Sequence, residues 1–124
     1  MFVHLHCHSH YSFLRGVTPP EEIIAAAVDQ KMPAVALTDT NGLYAAVPFY
    51  QAAKAAGIKP IMGVTLDVEW PQDRREIPSD KIRTFGRSAR NEGAVKNANS
   101  LAMVLLAADM EGNSNLCQLT TLRH

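Results

Sequence analysis

Four histidines at alternating positions, His4, His6, His8 and His10, carry the densest potential chemistry in the chain. In an extended strand successive side chains point to opposite faces, so these four would share one face. A neutral imidazole offers a nitrogen lone pair near pH 7 and is the commonest protein metal ligand. A His-X-His pair on a strand therefore seeds a metal site, but it does not complete one. Zinc takes at least three protein ligands, and multimetal hydrolytic sites add bridging carboxylates.

The remaining chemistry is sparser. Asp39 ends a candidate strand; it is a weak metal candidate, and in this setting more often a helix cap or turn former. Asp67 and Glu69 alternate with Thr65 on one face and read as solvated surface acids. Ser9 and Ser12 have no G-x-S-x-G context, and Cys7 and Cys117 have no catalytic partner pattern. The helix starts could cradle an anion, but no phosphate-binding glycine pattern is present.

The elements that must position these residues follow from periodicity. Phe2 to Cys7 reads as a strand. Thr18-Pro19-Pro20-Glu21-Glu22 is a helix start, with Thr18 as N-cap, and the helix runs to about Gln30 on the spacing of Ile23, Ile24, Ala27 and Val28. Ala34 to Thr38 reads as a buried parallel strand, Asp39 to Gly42 as a turn, and Leu43 to Ala56 as a helix stopped by Gly57. Lys59 to Glu69 is a third strand. From about 70 to 99 the chain is rich in arginine and lysine (Arg74, Arg75, Lys81, Arg83, Arg87, Arg90, Lys96) and reads as a charged, solvated loop. Leu101 to Ala107 is a fourth strand. A closing helix spans about Glu111 to Leu122, starting at Asn113, Ser114 or Asn115. The expected order is α/β, a parallel βαβαβ-(loop)-βα unit with right-handed crossovers. Four strands suit a small open sheet or the first half of a barrel.

Composition bounds the function. The chain has 124 residues and 47% apolar content, and twelve basic residues balance twelve acidic ones. A neutral chain has no global field to attract nucleic acid, which argues against an autonomous DNA-binding module. Two separated cysteines suit a reducing, cytoplasmic setting. No segment is long enough to span a membrane, and no signal peptide pattern is present.

Three segments in order carry a resemblance: His6-Cys7-His8-Ser9-His10-Tyr11-Ser12-Phe13-Leu14-Arg15-Gly16, Ala34 to Leu43, and Gly57 to Val64. Together with the stretch Val104 to Asp109, Gly112 and Asn115-Leu116-Cys117, they resemble the N-terminal PHP (polymerase and histidinol phosphatase) domain of bacterial DNA polymerase III alpha subunits, replicative or error-prone. The resemblance implies a distorted (βα) barrel of seven strands, with residues 1–124 as a partial PHP domain, its first half, and the native chain continuing past His124. It also implies a zinc or manganese cluster at the barrel mouth that activates water for phosphoester hydrolysis.

The ligand set implied by the resemblance is incomplete here. His6 and His8 match the first ligand pair and read either as ligands or as hydrogen-bonded remnants. Arg15, Thr40, Thr65 and Ala102 stand where the family has an acid, a histidine, a glutamate and a histidine. Asp67 lies roughly 7 Å beyond the Thr65 position along the strand, too far to substitute directly. His4 and His10 match no ligand position. The expectation is therefore a degenerate site, with hydrogen bonds or an Arg15–carboxylate pair in place of metals and no cofactor unless other residues complete the site. The implied role is a scaffold within a DNA-directed DNA polymerase, with the rest of that chain, and DNA through it, as partners. The 124 residues alone are not expected to polymerise DNA. The alternative is a stand-alone or dimeric metal-dependent phosphoesterase. A half barrel would expose an edge strand and so favour homo-oligomers or low solubility.

Overall fold

The computed structural model describes residues 1–69 and 100–123, without the side chains of Glu69 and Ser100. The charged stretch expected at about 70–99 lies outside the described residues, as does His124. Contacts divide the chain into one unit of Met1–Asp67 with Ala102–His124 and another of Val68–Leu101. The elements run α1 (Pro20–Asp29), β1 (Ala34–Leu37), α2 (Ala46–Ala56), β2 (Lys59–Glu69), β3 (Ser100–Leu106) and α3 (Met110–Arg123).

Helix α1 starts one residue later than the cap pattern suggested. Pro19 takes the N-cap position with no side-chain cap bond, and Pro20 supplies the pre-set φ of the first turn. Thr18 instead uses its carbonyl to accept the His10 N–H at 3.0 Å. The helix ends with Lys31 at φ 55° and Met32 N–H donating to Ala27 C=O at 2.9 Å, a Schellman-type closure without glycine. Helix α2 begins at Ala46 rather than Leu43. Pro48 sits in its first turn, and a proline ring clashes with the carbonyl four residues back, so Tyr44 cannot belong to the helix. Gly57, at φ 72°, closes it. Helix α3 starts at Met110, earlier than Asn113–Asn115, because Asp109 caps it through a 2.8 Å bond from Gly112 N–H.

Among the described residues the sheet has three strands, in the order β1-β2-β3. Strands β1 and β2 are parallel, with Ala34 opposite Lys59 and Leu37 opposite Met62, and the pairing resumes at a Thr40–Thr65 bridge. The last residues of β3 lie against the first half of β2, where Ala107 N–H donates to Met62 C=O at 2.8 Å. Residues Phe2–Cys7, expected as a strand, form none. Ala36 and Thr38 donate to the carbonyls of His4 and Cys7, so a step of two residues along and just past β1 faces a step of three in the N-terminal segment. That mismatch breaks the regular ladder and the strict alternation that a strand would impose.

All four residues of β1 are buried. The core joins Val35 and Leu37 to Ile24 and Ala27 of α1, Phe49 and Ala53 of α2, and Ile58. Strand β3 is much more open: Leu101 is 55% and Met103 47% exposed. Among the described residues no helix is long and apolar enough to cross a membrane.

Candidate functional site

The candidate site forms where the N-terminal segment crosses the ends of β1 and β2. Its centre is Asp39, only 3% exposed and one residue beyond Thr38. Ser9 N–H donates to Oδ1 and Ser9 Oγ–H to Oδ2, each at 2.6 Å. Ser12 Oγ–H donates to Oδ1, also at 2.6 Å. These are short, charge-assisted bonds, the form in which a buried carboxylate is tolerated. Asp39 thus caps no helix. It pins the turn after the histidines to the sheet, and both its oxygens are engaged.

That turn is closed by its own backbone. Ser12 N–H donates to Ser9 C=O, while Arg15 and Gly16 both donate to Ser12 C=O. A Cβ on Gly16 would lie 2.1 Å from Ser9 O, so only glycine fits where the chain passes that carbonyl. Leu14 takes φ 60° to make the bend.

The four histidines divide into three situations. His6 and His8 stand side by side, ring centroids 4.7 Å apart and planes nearly perpendicular. His4 packs edge-on against Phe2, and His10 stacks on Tyr11 inside the turn. Only His6 and His8 reach the hydroxyls of the site. His6 Nδ1 lies 3.2 Å from Thr38 Oγ1 and His8 Nδ1 3.2 Å from Ser12 Oγ. Burial holds His8 below the ordinary histidine range; His6 and, less strongly, Arg15 push the same way, against Asp39. Burial likewise pushes the Cys7 thiol up.

The other candidate residues are placed as follows. Thr65 is buried and donates to Thr38 C=O at 2.8 Å, with its N–H on Asp39 C=O. Thr40 N–H donates to Ser12 Oγ at 3.0 Å, and Thr40 Oγ1 is buried without a hydrogen-bond partner. Ala102 is exposed on β3. Arg15 Nη2 lies 3.9 Å from Asp67 Oδ1, both side chains being partly exposed. Asp67 is not simply a solvated acid. Asn41 Nδ2–H donates to its Oδ2, and its own N–H donates to Asn41 Oδ1, both at 3.0 Å. Arg123 also donates to its carbonyl. The alternation that grouped Asp67 with Thr65 could not reveal Asn41, because that partner arrives from the β1 turn. The Glu69 side chain lies outside the described residues. Among the described residues, no three His, Cys, Asp or Glu side chains converge as a metal-binding group.

A two-histidine segment crossing parallel strand ends is tied here to Asp39, just past β1. The sequence matches the PHP domain over residues 4–124, and the chain belongs to that family. Within it, the chain is 37% identical over 123 residues to the DNA polymerase III subunit alpha of Chlamydia trachomatis, covering 99% of this chain and 9% of that protein. It is 50% identical over 68 residues to the error-prone DNA polymerase of Symbiobacterium thermophilum, covering 55% of this chain and 6% of that one. The chain therefore spans less than a tenth of either relative. In fold it is similar to an amidohydrolase from Chromobacterium violaceum, solved with bound sulfate and no metal, at a TM-score of 0.58 and 22% identity over 94% of this chain and 32% of that one.

Proposed function

We propose that residues 1–124 are the first half of the PHP domain of a DNA polymerase III alpha-type polymerase and act there as a scaffold rather than a hydrolase. The similarity to a polymerase subunit along 99% of this chain supports the parent. The engagement of Asp39 carries the scaffold role. Both its oxygens accept bonds from Ser9 and Ser12, so this carboxylate stabilises the fold and is not free to bridge metal ions. Asp67 is likewise held by two 3.0 Å bonds with Asn41. Arg15 adds a cation that acts on His8, and the threonine hydroxyls at 40 and 65 are poor ligands for zinc or manganese. The residues present do not fit the family's multimetal cluster, and no hydrolytic step runs through one.

In this reading the partners are the remainder of the polymerase chain and, through it, DNA, in the cytoplasm. The exposed apolar row on β3 suits burial against further protein. Polymerisation belongs to the parent chain.

The test is hydrolysis of bis-p-nitrophenyl phosphate by the purified chain with Mn2+ or Zn2+, beside the His6→Ala/His8→Ala double variant. Equal, background rates support the scaffold. A metal-dependent rate lost in the double variant would instead establish a phosphoesterase, alone or as a dimer supplying ligands from both chains; sedimentation separates these two cases.

A further inference from the structure

The sequence holds a single Asn-Gly pair, Asn41-Gly42, in the turn that leads from β1 into α2. Asparagine followed by glycine is prone to ring closure, because glycine leaves the next peptide nitrogen unshielded and the backbone free to rotate. The Gly42 nitrogen attacks the side-chain carbonyl carbon of Asn41. Ammonia leaves, carrying the proton from that nitrogen, and water opens the cyclic imide to aspartate or isoaspartate. Asparagine and water become acid and ammonia, with no oxidant or cofactor. Both residues suit this turn. Asn41 takes φ 57°, a left-handed conformation that asparagine tolerates. A Cβ on Gly42 would lie 2.3 Å from the Tyr44 ring, so any other residue displaces that ring.

Ring closure requires the Asn41 side chain to swing onto the Gly42 nitrogen, and the fold holds it on β2 instead. Asn41 Nδ2–H donates to Asp67 Oδ2 and Asn41 Oδ1 accepts the Asp67 N–H, both at 3.0 Å, so both ends of the amide are fixed 26 residues away. The Asn41 backbone is fixed too, its N–H donating to Thr65 C=O at 2.8 Å. The reaction rate then scales with the fraction of chains in which this contact has opened. We propose that Asn41-Gly42 is a self-modification site kept dormant by Asp67, and that its conversion irreversibly loosens the turn. An aspartate at position 41 has no N–H to give, so two like charges meet across the former hydrogen bond. The Arg15 guanidinium, partly exposed and 3.9 Å from Asp67, is a weak counterweight. Isoaspartate lengthens the backbone by a methylene group, immediately after the Thr40–Thr65 bridge and the Thr40 bond to Ser12. This inference is independent of the scaffold role.

The experiment incubates the whole chain in mildly alkaline buffer, with and without urea. Peptide mass spectrometry follows the amide-to-acid mass gain at Asn41 and separates aspartate from isoaspartate. Folded wild type is expected to react at least about tenfold more slowly than the chain in urea. Folded Asp67→Ala, which loses a bond to a charged acceptor, is expected to react about tenfold faster than folded wild type. Circular dichroism shows whether that variant is folded. If it is not, the wild-type comparison and a charge exchange still decide. Asn41→Asp should melt below wild type near neutral pH, and adding Asp67→Asn, which returns an amide opposite the carboxylate, should restore much of the loss. Equal wild-type rates in buffer and urea would overturn the proposal. So would a folded Asp67→Ala as slow as wild type, or an Asn41→Asp chain that melts with wild type.

Discussion

Ser12 Oγ lies 2.6 Å from Asp39 Oδ1 while also accepting the Thr40 N–H, so one serine ties the histidine turn to the carboxylate and to the chain leaving β1. The bond joins residues 27 apart in sequence, both buried.

Replacing the charge tests that role. Asp39→Asn keeps the shape but presents an amide N–H to one of three donors. Bonds to charged groups contribute about 1.5–3 kcal/mol, and a stranded buried donor costs about 1–3 kcal/mol. The variant is expected to lose about 2–4 kcal/mol of unfolding free energy by chemical denaturation. A loss under about 0.5 kcal/mol would mean that the network does not hold the turn.

Two glycines should respond differently to alanine. At Gly16 the new Cβ meets a backbone oxygen at 2.1 Å, so the turn must open, at about 1–3 kcal/mol or more. At Gly57 nothing lies within 4 Å, and only the left-handed φ of 72° is penalised, at about 1 kcal/mol. Gly16→Ala should also alter the His8 ring environment in NMR spectra, whereas Gly57→Ala should not.

The hydroxyls of Thr40 and Thr65 are not equivalent. Thr65 donates to Thr38 C=O, and Thr65→Val should cost about 1 kcal/mol. Thr40 Oγ1 is buried and unpaired, so Thr40→Val should be neutral or stabilising. Thermal unfolding of the two valine variants side by side gives the comparison. The opposite ranking would contradict this assignment.

Acid should weaken the fold through His8. Its folded pKa is depressed, so the unfolded chain takes up the proton more readily. The stability contribution is whole above the unfolded value near 6.5 and is lost as pH falls from there to the folded pKa. Melting temperature is expected to drop between pH 7.5 and 5.5, with a shallower drop in His8→Gln. Parallel curves for the two proteins would exclude His8 as the source.

The Arg15–Asp67 pair should contribute little. At 3.9 Å, with both side chains partly exposed, it is worth under about 1 kcal/mol and is screened by salt. Arg15→Gln should therefore change the melting temperature less than Asn41→Ala, which removes both 3.0 Å bonds to Asp67.

Local sequence was enough for the elements whose causes are local. The apolar run of β1, the span of β2, the proline-led start of α1 and the glycine stop of α2 each rest on neighbours within a turn or a pleat. The sequence put all four histidines on one face, but only His6 and His8 stand together, with His4 on Phe2 and His10 on Tyr11. Where sequence reading failed, the cause came from far along the chain. Phe2–Cys7 is not a strand because its carbonyls meet β1 out of step. Asp39 caps no helix because Ser9 and Ser12 arrive from about thirty residues earlier and take both its oxygens. Asp67 is held because Asn41 lies across the sheet. Residue types and spacing determined which groups were available. Only the tertiary structure decided which partner each group met, because a hydrogen bond depends on distance and direction in space, and those are set by how distant segments pack.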